Sequence, residues 1–233
     1  MPSLHLISGG AAQGLVGQLE SRFRLETGLD IAATFGAVGL MQDKLLAGDK
    51  CDVVILTDAL ISQLEQQGQV LAASGCALGV VRTGVAVKTG RPLPAVDSAA
   101  ALAALLRASA GIYFPDPVKA TAGIHFMKVL RALELDEELS ARLRPYPNGA
   151  AAMHAMAQSL DHAVVGCTQV TEILYTPGVR LAGVLPKEFE LATMYTAAVC
   201  SSAQEPNAAA ALVEMLVSDA SKPLRMAGGF EID

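Results

Sequence analysis

The chain has few aromatic residues and little positive charge. It has no tryptophan and only 4% aromatic residues, although 52% of its 233 residues are hydrophobic, so we expect a core of Ala, Val and Leu. Lys and Arg number 17 against 23 Asp and Glu, which gives a formal net charge of -6. Since proteins bind nucleic acid largely by neutralising phosphates, we expect no nucleic-acid partner.

Cysteine is scarce and scattered. No CxxC pair occurs, and no histidine stands at metal-ligand spacing from a cysteine. We therefore expect no metal site, no other cofactor and no disulfide framework, and we interpret the thiols as free in a reducing compartment. The four cysteines are Cys51, Cys76, Cys167 and Cys200.

Long hydrophobic runs are also missing. No apolar run approaches the roughly 20 residues that a membrane-spanning helix needs, so we expect no membrane insertion. Residues 1–6 enter a strand pattern at once, without the basic and apolar regions of a secretory signal. We expect a cytoplasmic protein as the sequence stands, or a periplasmic one if a signal was removed.

Strands alternate with helices along the chain. Strand patterns at 4–7, 31–35, 51–56, 111–114 and 163–165 are followed by helical patterns. This alternation predicts an α/β fold with parallel, doubly wound sheets.

Two further strand-like stretches, 84–88 and 192–200, lie where the alternation restarts. We therefore expect two doubly wound lobes joined by two crossing strands. Lobe one would hold residues 1–83 plus 194–233, and lobe two residues 84–193. The cleft between the lobes is the expected ligand site, because ligands of open α/β sheets bind at the carboxyl ends of the strands.

Two glycine-rich loops of lobe one follow strands and open helices. Their backbone N–H groups can approach an anion closely, and Ser8 adds a hydroxyl donor. The alternative is a pair of ordinary glycine-rich turns, the first with a serine near the helix cap. The candidate ligand-binding residues here are Ser8, Gly9, Gly10, Ala11, Ala37, Val38 and Gly39.

The loop PDPVKATAGIH, residues 115–125, leaves a strand and opens a helix. The N–H groups around Ala122 face an anion at the helix start, Lys119 supplies charge, and Thr121 can donate a hydrogen bond. His125 lies early in the helix and is a candidate for contact with the ligand. Alternatively, Thr121 caps the helix, Lys119 is a solvated surface charge and His125 is structural.

Two more loops of lobe two carry polar side chains after strands. Asn148, Thr168 and Gln169 are candidate ligand donors, and Cys167 is a possible weak acid. The alternative is that Thr168 caps a helix over 168–174 and that Cys167 is packed in the core.

Together these features resemble the type II periplasmic-binding-protein fold, and specifically the molybdate-binding proteins of ABC transporters. The resemblance covers nearly the whole chain. Its most specific parts are the strand 111–114 running into Asp116-Pro117 and Ala122-Gly123-Ile124, and the stretch 35–48 leading into Thr57-Asp58.

The resemblance also implies a change of ligand. The family binds its oxyanion with two serines and a tyrosine, which align with Ala11, with residues 37–39 and with Gly166. Each lost hydroxyl should cost about 0.5–1.5 kcal/mol of binding. What carries over is the backbone donors around Ala11, Val38 and Ala122, so the resemblance implies a small-anion binding protein for an organic di- or tricarboxylate rather than molybdate.

An enzymatic relative of this fold, aconitate isomerase, suggests an alternative. A cytoplasmic isomerase or tautomerase would move a proton beside a carboxylate, which needs a base and an acid. The candidate catalytic residues are His125, Cys167 and Glu172, while Thr121 and Lys119 would hold carboxylates.

Two other functions are considered. The second alternative is a molybdate- or tungstate-binding component of an ABC transporter, although a cytosolic protein would have no transporter partner. A transcription-factor effector domain is disfavoured because no helix-turn-helix pattern precedes Leu4.

Overall fold

The strands and helices alternate along most of the chain in the computed structural model, which describes residues 3–232. The strands are β1 (Ser3–Gly9), β2 (Asp30–Gly36), β3 (Val53–Thr57), β4 (Cys76–Lys88), β5 (Gly111–Pro115), β6 (Leu143–Tyr146), β7 (Val164–Gln169), β8 (Val179–Val184) and β9 (Ala192–Val199). The helices are α1 (Gln13–Thr27), α2 (Val38–Leu46), α3 (Asp58–Gln66), α4 (Ala99–Arg107), α5 (Thr121–Ala132), α6 (Gly149–Gln158), α7 (Val170–Tyr175), α8 (Pro206–Val217) and α9 (Lys222–Ala227).

These elements form two compact units. Unit 1 runs to Val81 and resumes at Thr193, and unit 2 is Arg82–Ala192. The chain passes from unit 1 to unit 2 within β4 and returns at the start of β9. The α/β fold class predicted from the alternation is confirmed.

Unit 1 is built on a mixed sheet in the order β2-β1-β3-β9-β4. β1 pairs in parallel with β2 and β3, and β3 pairs antiparallel with β9. Helix α1 buries Leu15, Leu19 and Phe23 at helical spacing against this sheet's core. Gly28, in the left-handed conformation with φ of 74°, ends the helix.

Unit 2 is built on the order β4-β7-β5-β6, with β8 also paired to β4. β5 is parallel to β6 and β7, whereas β4 is antiparallel to β7 and β8. The apolar stripe of α5 packs on this sheet, and its Phe126 ring meets the Phe114 ring edge-on with centroids 5.4 Å apart. The carboxyl ends of the three parallel strands therefore lie at one edge of this sheet.

One predicted loop is a strand. The sequence predicts a loop at 166–169 and a helix over 168–174, but β7 continues to Gln169 and α7 begins at Val170. β4 extends the ladder, because Cys167 lies opposite Val85 and Gln169 opposite Thr83. Antiparallel pairing with β4 over the last residues of β7 outweighs the turn preference of the local sequence.

Candidate functional site

Two helical segments begin side by side at the edge of unit 1. Gly9 and Gly36, the last residues of β1 and β2, lie opposite each other in the parallel ladder. A short 3-10 turn, Gly10–Ala12, follows β1, and α2 begins at Val38 directly after Ala37. The first N–H groups of a helix have no partner within it and carry partial positive charge. These two starts therefore offer backbone donors suited to an anion.

The Ser8 hydroxyl is already engaged within the chain. It is fully buried and donates to the Gly9 carbonyl oxygen at 2.8 Å. The Ser8 hydroxyl therefore hydrogen-bonds within the chain at the end of β1 and has no proton left to donate to a ligand.

Close packing around Gly9 leaves no room for a side chain at this position. A Cβ on Gly9 would lie 2.8 Å from Val38 Cγ1 and 3.3 Å from Tyr195 Cε1. The buried Tyr195 ring of β9 therefore lies against the β1 exit, beside the candidate donors. Tyr195 is not among the residues predicted from the sequence, where its one signal is that it is the single aromatic residue of the predicted crossing strand 192–200.

The loop between β5 and α5 is braced by its own residues. Asp116 Oδ1 accepts the N–H groups of Val118 and Lys119, each at 2.7 Å. A Cβ on Gly123 would lie 2.2 Å from the Asp116 carbonyl oxygen and 2.3 Å from that of Pro115. Only glycine fits here, and the loop is held close over the first turn of α5.

Three predicted residues lie on this loop or at the start of α5. Thr121 is the first residue of α5 and is half-buried, Ala122 is buried, and Lys119 is exposed. Ala120, the residue before the helix, has no side chain that can cap it. No side chain of the residue before the helix caps the first N–H groups of α5, and the same holds at the start of α2.

The start of α6 differs, because its N–H groups are occupied by the chain itself. Asn148 Oδ1 accepts the N–H of Ala151 at 2.8 Å. The Glu172 carboxyl accepts the N–H groups of Gly149 and Ala150. The N–H groups that would attract an anion at this helix start are thus already paired with the Glu172 carboxyl.

Thr168 and Gln169 complete this network around Glu172. Thr168 Oγ1 donates to Glu172 Oε2 at 2.5 Å, and the Gln169 backbone N–H also donates to the Glu172 carboxyl. A Cβ on Gly149 would lie 1.9 Å from Glu172 Oε2 and 2.0 Å from Thr168 Oγ1. Asn148, Thr168 and Glu172, three separate candidates in the sequence, are therefore brought into one cluster around Gly149.

The environment of Glu172 changes its acidity. Burial raises the pKa of its carboxyl above the ordinary glutamate value, and hydrogen bonds from Thr168 and three backbone N–H groups oppose that rise without cancelling it. The carboxyl therefore holds its proton to higher pH than an exposed glutamate does.

The Gln169 side chain is buried without a partner. Only 3% of the residue is exposed, and neither amide atom has a hydrogen-bond partner within residues 3–232. Thr83, directly opposite in β4, is 1% exposed, and its hydroxyl oxygen likewise finds no partner in the described part of the chain. Unpaired buried polar groups are costly, so the described part of the chain leaves these two side chains without the partners that such groups normally have.

His125 is fixed by a backbone carbonyl. Its Nε2 lies 2.8 Å from the Phe189 carbonyl oxygen. Since a carbonyl only accepts, Nε2 carries the hydrogen, and Nδ1 is the nitrogen that can accept a proton whenever the ring is neutral. Cys167 differs, because burial raises the pKa of its thiol and keeps it protonated near neutral pH.

No group of three or more His, Cys, Asp or Glu side chains within residues 3–232 is arranged to hold a metal ion. In the same part of the chain, no helix has both the length and the apolar character needed to cross a membrane.

The whole chain matches one protein family. Residues 4–231 match the model of the bacterial extracellular solute-binding proteins, and the chain belongs to this family. The sequence left two locations open, the cytoplasm and the periplasm. The description of the family as extracellular supports the periplasm.

Similar proteins include an enzyme and two anion-binding proteins. An aconitate isomerase from Pseudomonas sp. is 28% identical over 236 residues, covering 97% of this chain and 87% of the relative. The periplasmic molybdate-binding protein of Azotobacter vinelandii superposes with a TM-score of 0.80 at 18% identity, covering 99% of this chain and 100% of that one. The sulfate-binding protein SubI of Mycobacterium tuberculosis gives 0.74 at 17% identity, covering 99% and 86%. The predicted resemblance to the molybdate-binding proteins is confirmed.

Proposed function

We propose that this chain is a solute-binding protein for an organic di- or tricarboxylate, with aconitate as the first compound to test. The observation that carries the proposal is the buried Gln169 amide, which offers both a donor and an acceptor without partners in residues 3–232.

The amide favours a ligand that both accepts and donates hydrogen bonds. Molybdate and sulfate in their fully ionised forms only accept, so they would satisfy Gln169 Nε2 and leave Oε1 unpaired. A carboxylic acid satisfies both atoms when it carries a hydroxyl, as citrate does, or when one carboxyl is bound in its protonated form, as aconitate requires. Leaving a buried acceptor unpaired costs about 1–3 kcal/mol, which is enough to discriminate between these ligand classes.

The backbone donors support the same class. The starts of α2 and α5 follow alanines and offer N–H groups without side-chain caps. Such groups stabilise carboxylates by hydrogen bonding and by the helix dipole. We propose Val38, Gly39, Thr121 and Ala122 as carboxylate-binding positions on their respective units.

Ligand binding can be tested by calorimetry on the purified protein with cis- and trans-aconitate, citrate, molybdate, tungstate and sulfate. We expect binding of at least one tricarboxylate, weakened about tenfold by Gln169→Leu, because one to two hydrogen bonds are worth about 1.4 kcal/mol together. Gln158→Leu, which replaces an exposed glutamine of the same unit, is the matched control. Micromolar binding of molybdate with no response to any carboxylate would contradict the proposal and favour a transporter component for molybdate or tungstate.

A second candidate function is isomerisation of the bound acid. It is favoured by the defined tautomer of His125, whose Nδ1 is a proton acceptor, and by the aconitate isomerase relative. In this proposal His125 removes a proton from the carbon beside a carboxylate, and the double bond shifts as a proton is returned at the other carbon. Glu172 acts as a positioning residue, since its carboxyl is engaged with Thr168 and the start of α6.

Proton exchange distinguishes the enzyme from the binding protein. Proton NMR of cis- and trans-aconitate in deuterated water should show interconversion with incorporation of deuterium, and His125→Ala should abolish it while His162→Ala, at an exposed histidine, leaves it intact. Binding of aconitate without exchange would reject the isomerase and leave the binding proposal standing.

A further inference from the structure

Two buried thiols of unit 1 lie in contact. The Sγ atoms of Cys51 and Cys200 are 3.2 Å apart, with the Cys200 thiol donating to the Cys51 sulfur. Cys51 in turn donates to the Val53 carbonyl oxygen at 3.1 Å. The two cysteines are separated by 149 residues in sequence, so this contact is a product of the fold.

The sheet holds the two cysteines in register. Cys51 comes shortly before β3 and Cys200 directly after β9, which are antiparallel neighbours. The Cys200 N–H donates to the Asp52 carbonyl oxygen at 2.9 Å, which extends the pairing past the end of the ladder. A disulfide needs sulfurs about 2.05 Å apart, so the thiols must approach by only about 1 Å.

A pocket lies beside one of the two cysteines. Cys51, although only 4% exposed, lines a pocket of about 310 Å³ in unit 1, together with polar residues that include His5, Gln69 and Ser202. A small reagent that enters this pocket reaches a wall to which Cys51 contributes, whereas Cys200 does not line the pocket.

We propose that Cys51 and Cys200 form a redox-modification site, which closes to an intramolecular disulfide on reaction with a low-molecular-weight disulfide such as oxidised glutathione. The Cys51 thiolate attacks one glutathione sulfur, and one reduced glutathione leaves. The Cys200 thiolate then attacks the Cys51 sulfur of the mixed disulfide, and the second reduced glutathione leaves. Both protein thiols are oxidised, one glutathione disulfide is reduced to two thiols, and each leaving thiolate takes up one of the two protons released.

The reaction is expected to be slow at neutral pH. The hydrogen bond with Cys51 raises the pKa of the Cys200 thiol above its ordinary value, and burial raises it further. Since the thiolate is the attacking species, the incubation should be long and mildly alkaline, at about pH 8.5.

The test uses the full chain with all four cysteines. Reduced protein is incubated with oxidised glutathione, remaining thiols are blocked with N-ethylmaleimide, and the digest is mapped by mass spectrometry without reduction. We expect a peptide pair linked through Cys51 and Cys200, an intact mass about 2 Da lower before blocking because two hydrogens leave, and a higher Tm that dithiothreitol reverses.

Matched variants check the assignment. Cys76→Ser should keep the linked peptide, and Cys200→Ser should give the mixed disulfide at Cys51 without a link. If the wild-type map shows both Cys51 and Cys200 blocked by N-ethylmaleimide while the half-buried Cys76 carries glutathione, the proposal is overturned. A link between Cys51 and Cys76 would overturn it as well, and neither outcome depends on a variant that folds.

Discussion

The Thr168 hydroxyl donates to the buried carboxyl of Glu172 at 2.5 Å. The two residues lie four positions apart on either side of the junction of β7 and α7, and the same carboxyl accepts N–H groups at the start of α6. This bond therefore joins the ends of two elements through a group whose pKa burial raises.

The raised pKa of Glu172 predicts how stability depends on pH. Because the folded protein binds this proton more tightly than the unfolded chain does, the contribution of Glu172 is fully present below the unfolded pKa and is lost as pH rises through the folded value. Relative to Glu172→Gln, the wild type should lose stability as pH rises above about 4.3, the ordinary glutamate pKa. Urea unfolding of both proteins from pH 4 to pH 8 measures this, with Glu137→Gln, at an exposed residue, as the control for lost charge. A difference that grows in favour of the wild type would contradict the assignment.

Alanine at position 149 should be strongly destabilising. A Cβ there would lie within 2.0 Å of Thr168 Oγ1 and within 1.9 Å of Glu172 Oε2, so Gly149→Ala should cost about 3 kcal/mol through overpacking and the broken hydrogen bond. Gly17→Ala is the matched control. Nothing lies within 4 Å of its added Cβ, and it should stabilise α1 by about 0.5–1 kcal/mol because alanine is the better helix former. Equal effects of the two changes in thermal unfolding would refute the packing around Gly149.

The Asn148 side chain should contribute as a helix cap. Asn148→Ala removes the acceptor for the Ala151 N–H and should cost about 1 kcal/mol, whereas Asn148→Ser should retain most of the stability. Chemical denaturation measures both. If Ser and Ala at this position are equally destabilising, the side chain has another role.

A serine at position 11 should partly restore binding of molybdate. The resemblance to the molybdate-binding proteins implies that their first serine corresponds to Ala11, which lies in the 3-10 turn after β1. One added hydroxyl donor is worth about 0.5–1.5 kcal/mol, so Ala11→Ser should strengthen molybdate binding by roughly two- to tenfold in calorimetry. Ser8→Ala should change ligand affinity less than twofold, because its hydroxyl donates to Gly9. A large loss on Ser8→Ala would show that this internal bond breaks on binding.

The alternation of strands and helices was enough to predict the α/β class, since buried strands and amphipathic helices such as α1 leave strong periodic patterns. Strand β6 includes the exposed residues Arg144 and Pro145 and has no periodic pattern of buried residues. It is therefore not predicted from the sequence. It is defined by parallel pairing with β5, a contact between distant segments.

The candidate residues could be predicted only as types placed after strands. The sequence does not show which polar groups hydrogen-bond to one another. It therefore predicts Thr168 and Glu172 as two separate candidates, although they form one hydrogen-bonded network. Tyr195 was missed for a related reason, because it approaches Gly9 from the far end of the chain.

The path of the chain also sets an order for synthesis. Strand β9 lies between β3 and β4 in the sheet of unit 1, so that sheet stays incomplete until residue 199 has left the ribosome. Unit 2 is one continuous segment, Arg82–Ala192, and all its strands have emerged earlier. In ribosome-stalled chains of increasing length, unit 2 should therefore become protected from protease earlier than residues 1–81 do. This order is the reverse of the usual one, in which domains at the N-terminus fold first during translation. Until then the edges of β3 and β4 that pair with β9 remain unpaired. We therefore expect the nascent chain to bind a chaperone that covers exposed strands.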